Sequence, residues 1–415
     1  MEKVLQGVSA EKEMRTDIRQ WIALFVACSI GSGILLLPEK AAGVNLYTVI
    51  AAVIFGSVAS YLGQSLMIRM TSTVDVNPSY DNSLNVHLGK GFGIFSAGVY
   101  IILTLTVVIM LGTAASSNLA SGLAYYHVTH GNLVKNPLFV AIFLAVVASP
   151  MVISEKMVLR VVEKIVAFKI VIILAVTALF IPLFKVSNLT REISLSTNNI
   201  FSGIVTLLPV LIFAISFFAV VGPATAYFKT KYSSDSDETN YERANKSQGV
   251  ALVFSAVIMI AFIFSAMCVL SPSSLTYAAA NNLTALTVVA NNVSGTGLSS
   301  FLILAGFTIT VLAILTSFYG VLAGVINGAM TKLPESASKY RKLVVVAVFA
   351  ILYTFIVFDV NILNLVIHFL TPLIICYMFV VPGIACFVSK KLRKYGAIIP
   401  IISIILGVFL LATCF

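Results

Sequence analysis

The chain has 415 residues, of which 59% are hydrophobic and only 10% are charged, whereas a typical globular domain has about 25% charged side chains. Together with a mean hydropathy of +1.04, this composition excludes a soluble enzyme, a nucleic-acid-binding protein and a disordered chain, and it indicates a polytopic membrane protein. The net charge of +10 predicts orientation rather than a nucleic-acid partner, because basic residues concentrate on the cytoplasmic loops of membrane proteins.

The apolar segments predict eleven transmembrane helices. A bilayer core about 30 Å thick needs roughly 20 apolar residues in each helix. Residues 1–20 are polar and are predicted to form a cytoplasmic N-terminal segment. The predicted spans are residues 21–38, 47–70, 93–124, 138–153, 161–184, 200–228, 250–270, 298–329, 343–358, 362–388 and 395–415.

The distribution of basic residues supports this count. With the N-terminus in the cytoplasm, 21 of the 26 basic residues lie on inner segments, and the outer segments hold only Lys40, Lys135, Lys185 and Arg191. One missed helix would exchange the sides of every later loop and remove this bias. The sequence therefore predicts a multi-pass protein of the plasma or inner membrane, with a cytoplasmic N-terminus and an outer C-terminus.

Two of the predicted spans carry interruptions at corresponding positions. The first contains the run Ser29–Gly33 and ends at Pro38, and the sixth contains Ser216–Ala219 between two prolines. The third and eighth spans, also five apart, are both unusually long. Paired interrupted helices are typical of transporters built from inverted repeats. We therefore predict an all-α fold with one five-helix repeat at 21–184, a second, inverted repeat at 200–388, and an additional helix at 395–415.

These interruptions provide the candidate substrate site. Backbone groups freed at mid-membrane need polar partners, and the amides that begin a half-helix attract anions. An amino acid would place its carboxylate on the amides of Gly31–Gly33 and its amine on carbonyls of the first and sixth spans. The alternative is a small-residue face for helix packing. The candidate substrate-binding residues are Ser29, Ile30, Gly31, Ser32, Gly33, Tyr100, Thr104, Phe213, Ser216, Phe217 and Phe218.

Two adjacent hydroxyls in the eighth span form a candidate cation site. Thr316 and Ser317 follow Ala313 by one turn, and together with carbonyls of the broken first span they would coordinate a small cation. Alternatively, both hydroxyls bond to carbonyls of their own helix.

Three segments resemble a known family. They are SIGSGILLLP at 29–38, LLPVLIFAISFF at 207–218, and the stretch 261–329. These segments are similar to the hydroxy/aromatic amino acid permeases, with the serine/threonine permease branch nearest, within the amino acid–polyamine–organocation superfamily. The resemblance implies a LeuT-like five-plus-five fold and amino acid uptake coupled to a cation, usually a proton. Ser216-Phe217-Phe218 stands where the serine/threonine branch has a polar run, so serine or threonine specificity is not implied.

Lys169 lies inside the fifth predicted span. The segment 162–169 resembles the fifth helix of proton-coupled and sodium-independent transporters of the same superfamily. In those transporters a lysine ammonium occupies the place of a sodium ion between the break in helix 1 and the hydroxyls of helix 8. The alternative is a lysine that snorkels to the membrane surface. Lys169 and His368 are the candidate proton carriers, and His368 is interpreted as a packing histidine.

The sequence thus predicts proton-coupled import of a neutral amino acid of the hydroxy or aromatic type by alternating access. The competing hypotheses are a sodium-coupled symporter or an exchanger of the same fold. A channel is disfavoured because no filter loop or pore-lining ring of charge is visible. No enzyme activity, cofactor or metal is predicted, and the five cysteines lack metal-ligand spacing. The expected partners are the amino acid, the proton and the lipid bilayer, and the oligomeric state is not predicted.

Overall fold

The computed structural model describes residues 2–31, 33–125, 128–129, 133, 136–153, 155–188, 197–280, 284–293, 297–330, 340–358 and 370–414. Within these ranges the regular secondary structure is entirely helical. The helices are α1 (Glu2–Ser29), α2 (Gly33–Lys40), α3 (Leu46–Ser72), α4 (Tyr80–Leu88), α5 (Lys90–Tyr125), α6 (Pro137–Ile153), α7 (Glu155–Phe180), α8 (Thr197–Ile215), α9 (Phe218–Lys231), α10 (Asp237–Val269), α11 (Pro272–Ala280), α12 (Ala285–Asn292), α13 (Gly297–Met330), α14 (Arg341–Val357), α15 (Leu370–Val388) and α16 (Ile398–Ala412).

Seven helical segments in the described part of the chain are long and apolar enough to cross a membrane, by length and composition. They correspond to the second, third, fifth, sixth, seventh, eighth and tenth predicted spans. The helices α6 and α16 are apolar but shorter. The all-helical membrane fold predicted from composition is therefore confirmed, whereas the count of eleven spans and the inverted repeat stay predictions.

The helix α7 illustrates how the sequence pattern positions a buried cation. Phe168, Val171 and Leu174 are 56%, 63% and 49% exposed, as expected for side chains that face lipid. Lys169 is fully buried and lies on the opposite face of α7. Successive side chains of a helix are spread around its axis at 3.6 residues per turn, so neighbours in sequence can face lipid and the protein interior. The lipid-facing residues thus set the rotation of α7 that turns the lysine inward.

The helix α13 packs closely against both interrupted helices. Gly320, Gly324 and Gly328 recur every fourth residue, a spacing that allows close helix approach in membranes. A Cβ atom on Gly320 would overlap the Cys28 thiol of α1, and one on Gly324 would overlap the carbonyl oxygen of Ala219 in α9. This glycine face brings the hydroxyls of α13 next to the two breaks.

Candidate functional site

The first break lies between α1 and α2. The helix α1 ends at Ser29 and α2 begins at Gly33, so the chain is interrupted within the predicted Ser29–Gly33 run. The Ile30 amide closes α1 on the carbonyl of Val26 at 2.8 Å. Carbonyls at the end of a helix lack intrahelical donors, and here those of Ala27 and Ile30 accept from side chains of other helices. Ser32 lies outside the described residues.

Lys169 supplies the principal donor to these carbonyls. Its Nζ lies 2.7 Å from the Ile30 oxygen, 3.1 Å from Thr316 Oγ1 and 3.4 Å from the Ala27 oxygen, and the side chain is 0% exposed. An ammonium group has three hydrogens to donate, and these three acceptors are neutral oxygens. The lysine therefore points into the bundle, where it joins the end of α1 to α13.

The two hydroxyls of α13 complete this cluster. Thr316 Oγ1 lies 3.1 Å from the carbonyl oxygen of Ala313 and 3.4 Å from that of Ala27. Ser317 Oγ donates to the Ala27 oxygen at 3.3 Å. The structure thus brings Lys169, Ala313, Thr316, Ser317 and the end of α1 together in one place. We call Lys169, Thr316, Ser317 and the Ala27 and Ile30 carbonyls the lysine cluster.

The second break lies between α8 and α9. The helix α8 ends at Ile215 and α9 begins at Phe218, and Phe217 between them has non-helical angles of φ −121° and ψ 38°. The Ser216 amide still bonds to the Ile212 oxygen at 2.9 Å, and the Val220 amide bonds to the Phe217 oxygen at 2.8 Å. The interruption is therefore two residues long, and it falls within the Ser216–Ala219 run of the sixth predicted span.

A cavity lies where the two breaks meet. It encloses about 570 Å³ of empty space, which includes open solvent at its mouth. Gly31 from the first break and the second break border it, together with α5, α13 and α15. Its lining residues are Cys28, Gly31, Val107, Met110, Leu111, Phe213, Ala214, Ser216, Phe217, Phe218, Ala219, Val220, Ser317, Val321 and Ile374.

The predicted substrate residues fall into two groups. Gly31, Phe213, Ser216, Phe217 and Phe218 line the cavity. The other described residues of the set are not in the lining of the cavity. Ser29 Oγ lies 2.5 Å from Ser255 Oγ of α10, and the Ile30 carbonyl accepts from Lys169. Tyr100 Oη donates to the Phe218 oxygen at 3.5 Å, and Thr104 Oγ1 donates to the Tyr100 oxygen of its own helix at 3.0 Å. Gly33 begins α2.

The two adjacent phenylalanines of the second break have different neighbours. The Phe217 ring stacks on Phe25 of α1 with centroids 4.6 Å apart, and the Phe218 ring lies edge-on to Tyr100 of α5 at 6.3 Å. Phe217 thus couples the second break to the half-helix that ends at the first break, and Phe218 couples it to α5.

The sequence analysis did not identify Asp17, which joins the middle of α1 to the end of α9. Its carboxylate accepts hydrogen bonds from Lys231 Nζ and from Tyr232 Oη, the latter at 2.8 Å, and the side chain is 1% exposed. Lys231 also pairs with Glu13 at 2.8 Å, and the hydrogen bond from Lys231, together with its charge, lowers the pKa of the Glu13 carboxyl. The only signal for Asp17 in the sequence is that an acidic residue lies one helical turn before Trp21, where the first apolar segment begins.

Glu39 was also not identified, and it joins α2 to α12. The carboxylate is 4% exposed and its Oε1 accepts from the Ala285 amide at 2.8 Å. An acid at a helix N-terminus is favoured by the helix dipole. A buried carboxylate therefore anchors each half of the broken first helix, Asp17 in the middle of α1 and Glu39 near the end of α2.

Comparison with known proteins identifies the family of this chain. A model of the tryptophan/tyrosine permease family matches residues 16–413 of the chain. The chain belongs to this family. It is a permease family, so the chain is a membrane transporter and not an enzyme, as the sequence analysis predicted.

Curated relatives support the same assignment at low identity. A serine transporter of Escherichia coli O157:H7 is 22% identical over 306 residues, covering 73% of this chain and 68% of the relative. The threonine/serine transporter TdcC of Escherichia fergusonii is 21% identical and covers 95% of this chain and 94% of the relative. The inner membrane transport protein YqeG of Escherichia coli K12 is 19% identical, covering 95% and 97%.

The fold is similar to that of a solved transporter. Mhp1, a nucleobase-cation-symport-1 family transporter captured in a closed conformation with bromovinylhydantoin bound, superposes with a TM-score of 0.57. The match covers 96% of this chain and 90% of Mhp1 at 12% sequence identity. At this identity the similarity concerns the fold alone.

Proposed function

We propose that this permease imports a neutral amino acid by proton-coupled symport, with alternating access around the breaks in α1/α2 and α8/α9. The lysine cluster is the observation that carries the proposal. A buried ammonium occupies a position between the end of α1 and the hydroxyls of α13, where its charge state changes how strongly the two helices are held together.

The proposed substrate lies in the cavity between the breaks. Its carboxylate binds the amides at Gly31–Gly33, where the start of α2 favours an anion. Its amine binds carbonyls at the end of α8, because those of Ala27 and Ile30 already accept hydrogen bonds from the lysine cluster. Ser216, Phe213, Phe217 and Phe218 complete the proposed site.

The same geometry disfavours sodium as the coupling ion. A sodium ion coordinated by the Ile30 carbonyl and Thr316 would lie about 3 Å from the ammonium, and the repulsion would be about 5 kcal/mol at an effective dielectric constant near 20. The lysine is covalently present and already bonds to these oxygens. A charged Lys169 holds α1 to α13, and loss of its proton releases them, so the transport cycle depends on the proton.

The proposed topology has eleven transmembrane helices in two inverted five-helix repeats with one additional helix. The repeats are residues 21–184 and 200–388, with 395–415 added and 1–20 in the cytoplasm. Its support is that the first and sixth predicted spans are both broken and meet at one cavity. In this orientation Asp17 lies at the cytoplasmic end and Glu39 at the outer end.

The test is uptake of labelled amino acids into proteoliposomes in sodium-free buffer, with and without an inside-alkaline pH gradient. We expect the gradient to drive uptake by the wild-type protein at least about tenfold above the level without it, and Lys169→Ala to abolish this stimulation. Lys164→Ala is the matched control, because this lysine lies on the same helix but is exposed. It should retain the full response.

Two results would contradict the mechanism. If uptake requires added sodium, the protein is a sodium-coupled symporter. If Lys169→Ala is correctly folded by size-exclusion chromatography and keeps the full pH dependence, the lysine has only a structural role. Exchange of internal for external amino acid that is indifferent to the gradient would instead identify an exchanger.

A further inference from the structure

We infer that the transported amino acid has a wholly apolar side chain, such as leucine, methionine or phenylalanine, and that serine and threonine are poor substrates. This inference rests on the proposed transport of an amino acid through the cavity between the breaks. It differs from what the names of the serine and threonine/serine transporters among the relatives would suggest for this chain.

The polar groups of the cavity are concentrated at the breaks. Gly31 offers backbone groups, and the hydroxyls come from Ser216 and Ser317. Ser317 already donates its hydrogen to the Ala27 carbonyl at 3.3 Å. These groups lie where the carboxylate and amine of an amino acid are proposed to bind, so they are engaged by the part that all amino acids share.

Apart from the Cys28 thiol, the remaining described lining is aliphatic or aromatic. α5 contributes Val107, Met110 and Leu111, α13 contributes Val321, and α15 contributes Ile374. The polar side chains of α5 in the same region are turned elsewhere, because Thr104 bonds to its own helix and Tyr100 packs among aromatic rings. A substrate side chain that leaves the breaks therefore enters apolar surroundings.

This arrangement sets the direction and the size of the selectivity. A buried hydroxyl that finds no hydrogen-bond partner is disfavoured, yet an apolar pocket discriminates against an added hydroxyl by only about 100-fold at most. Valine and threonine have the same shape and differ by this group. We therefore expect valine to be preferred over threonine, and phenylalanine over tyrosine, by roughly 10- to 100-fold.

The experiment is competition against uptake of labelled leucine by wild-type proteoliposomes under a pH gradient. Leucine, methionine and phenylalanine should be the strongest competitors, and the concentration of threonine for half-inhibition should exceed that of valine at least tenfold. Labelled serine and threonine are tested directly in parallel. This wild-type comparison needs no variant and decides the inference even where a variant fails to fold.

A pair of isosteric variants tests the assigned lining. Val107 lines the cavity, whereas its neighbour Val108 is fully buried and does not appear in the lining. We expect Val107→Thr to lower the valine-to-threonine preference about tenfold by providing a partner hydroxyl, and Val108→Thr to leave it unchanged. If Val107→Thr does not fold, Val321→Thr from α13 serves the same purpose.

The outcomes separate this inference from the proposed function. Uptake of threonine or serine as efficient as that of valine overturns the inference but leaves amino acid transport intact. An active Val107→Thr protein with an unchanged valine-to-threonine preference also overturns it. If no labelled amino acid is taken up by the wild-type protein under any gradient, the proposed function itself fails.

Discussion

The two breaks face the same cavity but are held by different forces. At the first break the carbonyls of Ala27 and Ile30 accept from an ammonium and hydroxyls. At the second break the side-chain contacts of Phe217 and Phe218 are aromatic and apolar. The Phe218 oxygen accepts a long hydrogen bond from Tyr100, and the amides of Ser216 and Val220 bond to carbonyls of the preceding turn. The first break is therefore held by electrostatic interactions and the second by packing.

This difference predicts two kinds of sensitivity. An electrostatic contact responds to protonation, because the loss of one charge removes it. A packed contact responds to volume, because protein interiors are close to crystalline density. We expect protonation to control the first break and side-chain size to control the second, with α13 and Phe217 linking their movements.

The largest effect is expected from Gly324→Val. A Cβ atom at this position overlaps the Ala219 carbonyl at the start of α9, and backbone cannot move aside as a flexible side chain can. We expect a loss of about 3 kcal/mol of stability, measured by thermal unfolding in detergent. We also expect at least tenfold lower uptake, measured in proteoliposomes. Gly98→Val is the control, because a Cβ there meets nothing within 4 Å. A wild-type uptake rate for Gly324→Val would show that the second break tolerates added volume.

The next effect concerns the contact between Asp17 of α1 and the end of α9. Asp17→Asn removes the charge that Lys231 and Tyr232 bind, and hydrogen bonds to charged groups contribute about 1.5–3 kcal/mol. We expect thermal stability to fall by about 2 kcal/mol and Cys28 to react faster with a thiol reagent in a variant lacking the other four cysteines. Glu11→Gln removes only an exposed pair with Arg15 and should change neither quantity. Unchanged labelling of Cys28, which lines the cavity, in Asp17→Asn would show that this contact does not limit access to the cavity.

A smaller effect is expected for Gly31→Ala at the first break. The added Cβ lies 3.1 Å from Ser317 Oγ and 3.3 Å from the Cys28 oxygen, and the hydroxyl can rotate away. We expect about 1 kcal/mol of lost stability and uptake reduced several-fold. In a Ser317→Ala background the added Cβ should cost less, which a double-mutant cycle measures. Full additivity in that cycle would mean that Gly31 and α13 do not interact.

The smallest effect serves as a reference outside both breaks. His87 contacts the Met70 carbonyl at 3.0 Å and Ser389 Oγ at 2.8 Å, and burial lowers its pKa, with a further contribution from the charge of Lys391. His87 therefore binds a proton more readily in the unfolded chain than in the folded protein. The stability that the neutral, buried imidazole gives the folded protein is lost as the pH falls below about 6.5. His87→Gln should flatten the decline in melting temperature between about pH 7 and 5. An identical decline in both proteins would show that His87 does not titrate in this window.

Sequence reasoning located the breaks better than the side chains around them. Gly31 and Ser216 were identifiable because glycine and serine interrupt apolar segments near proline. The sequence did not show which face of α5 turns towards the cavity. Thr104 was an expected substrate residue, but it bonds to its own helix, and Val107 lines the cavity instead. A hydroxyl in an apolar helix satisfies itself locally, so its presence does not reveal which face the helix turns inward.

Composition and local pattern by themselves determined that this chain is a helical membrane protein, and they located its interruptions at Ser29–Gly33 and near Ser216. These properties follow from apolar length and from backbone preferences within a few neighbouring residues. Only the tertiary structure decided which other groups meet, such as Glu39 with Ala285 across 246 positions and Lys231 with Asp17 across 214. Such contacts depend on how whole helices rotate and cross, and that choice is made by packing over the entire bundle.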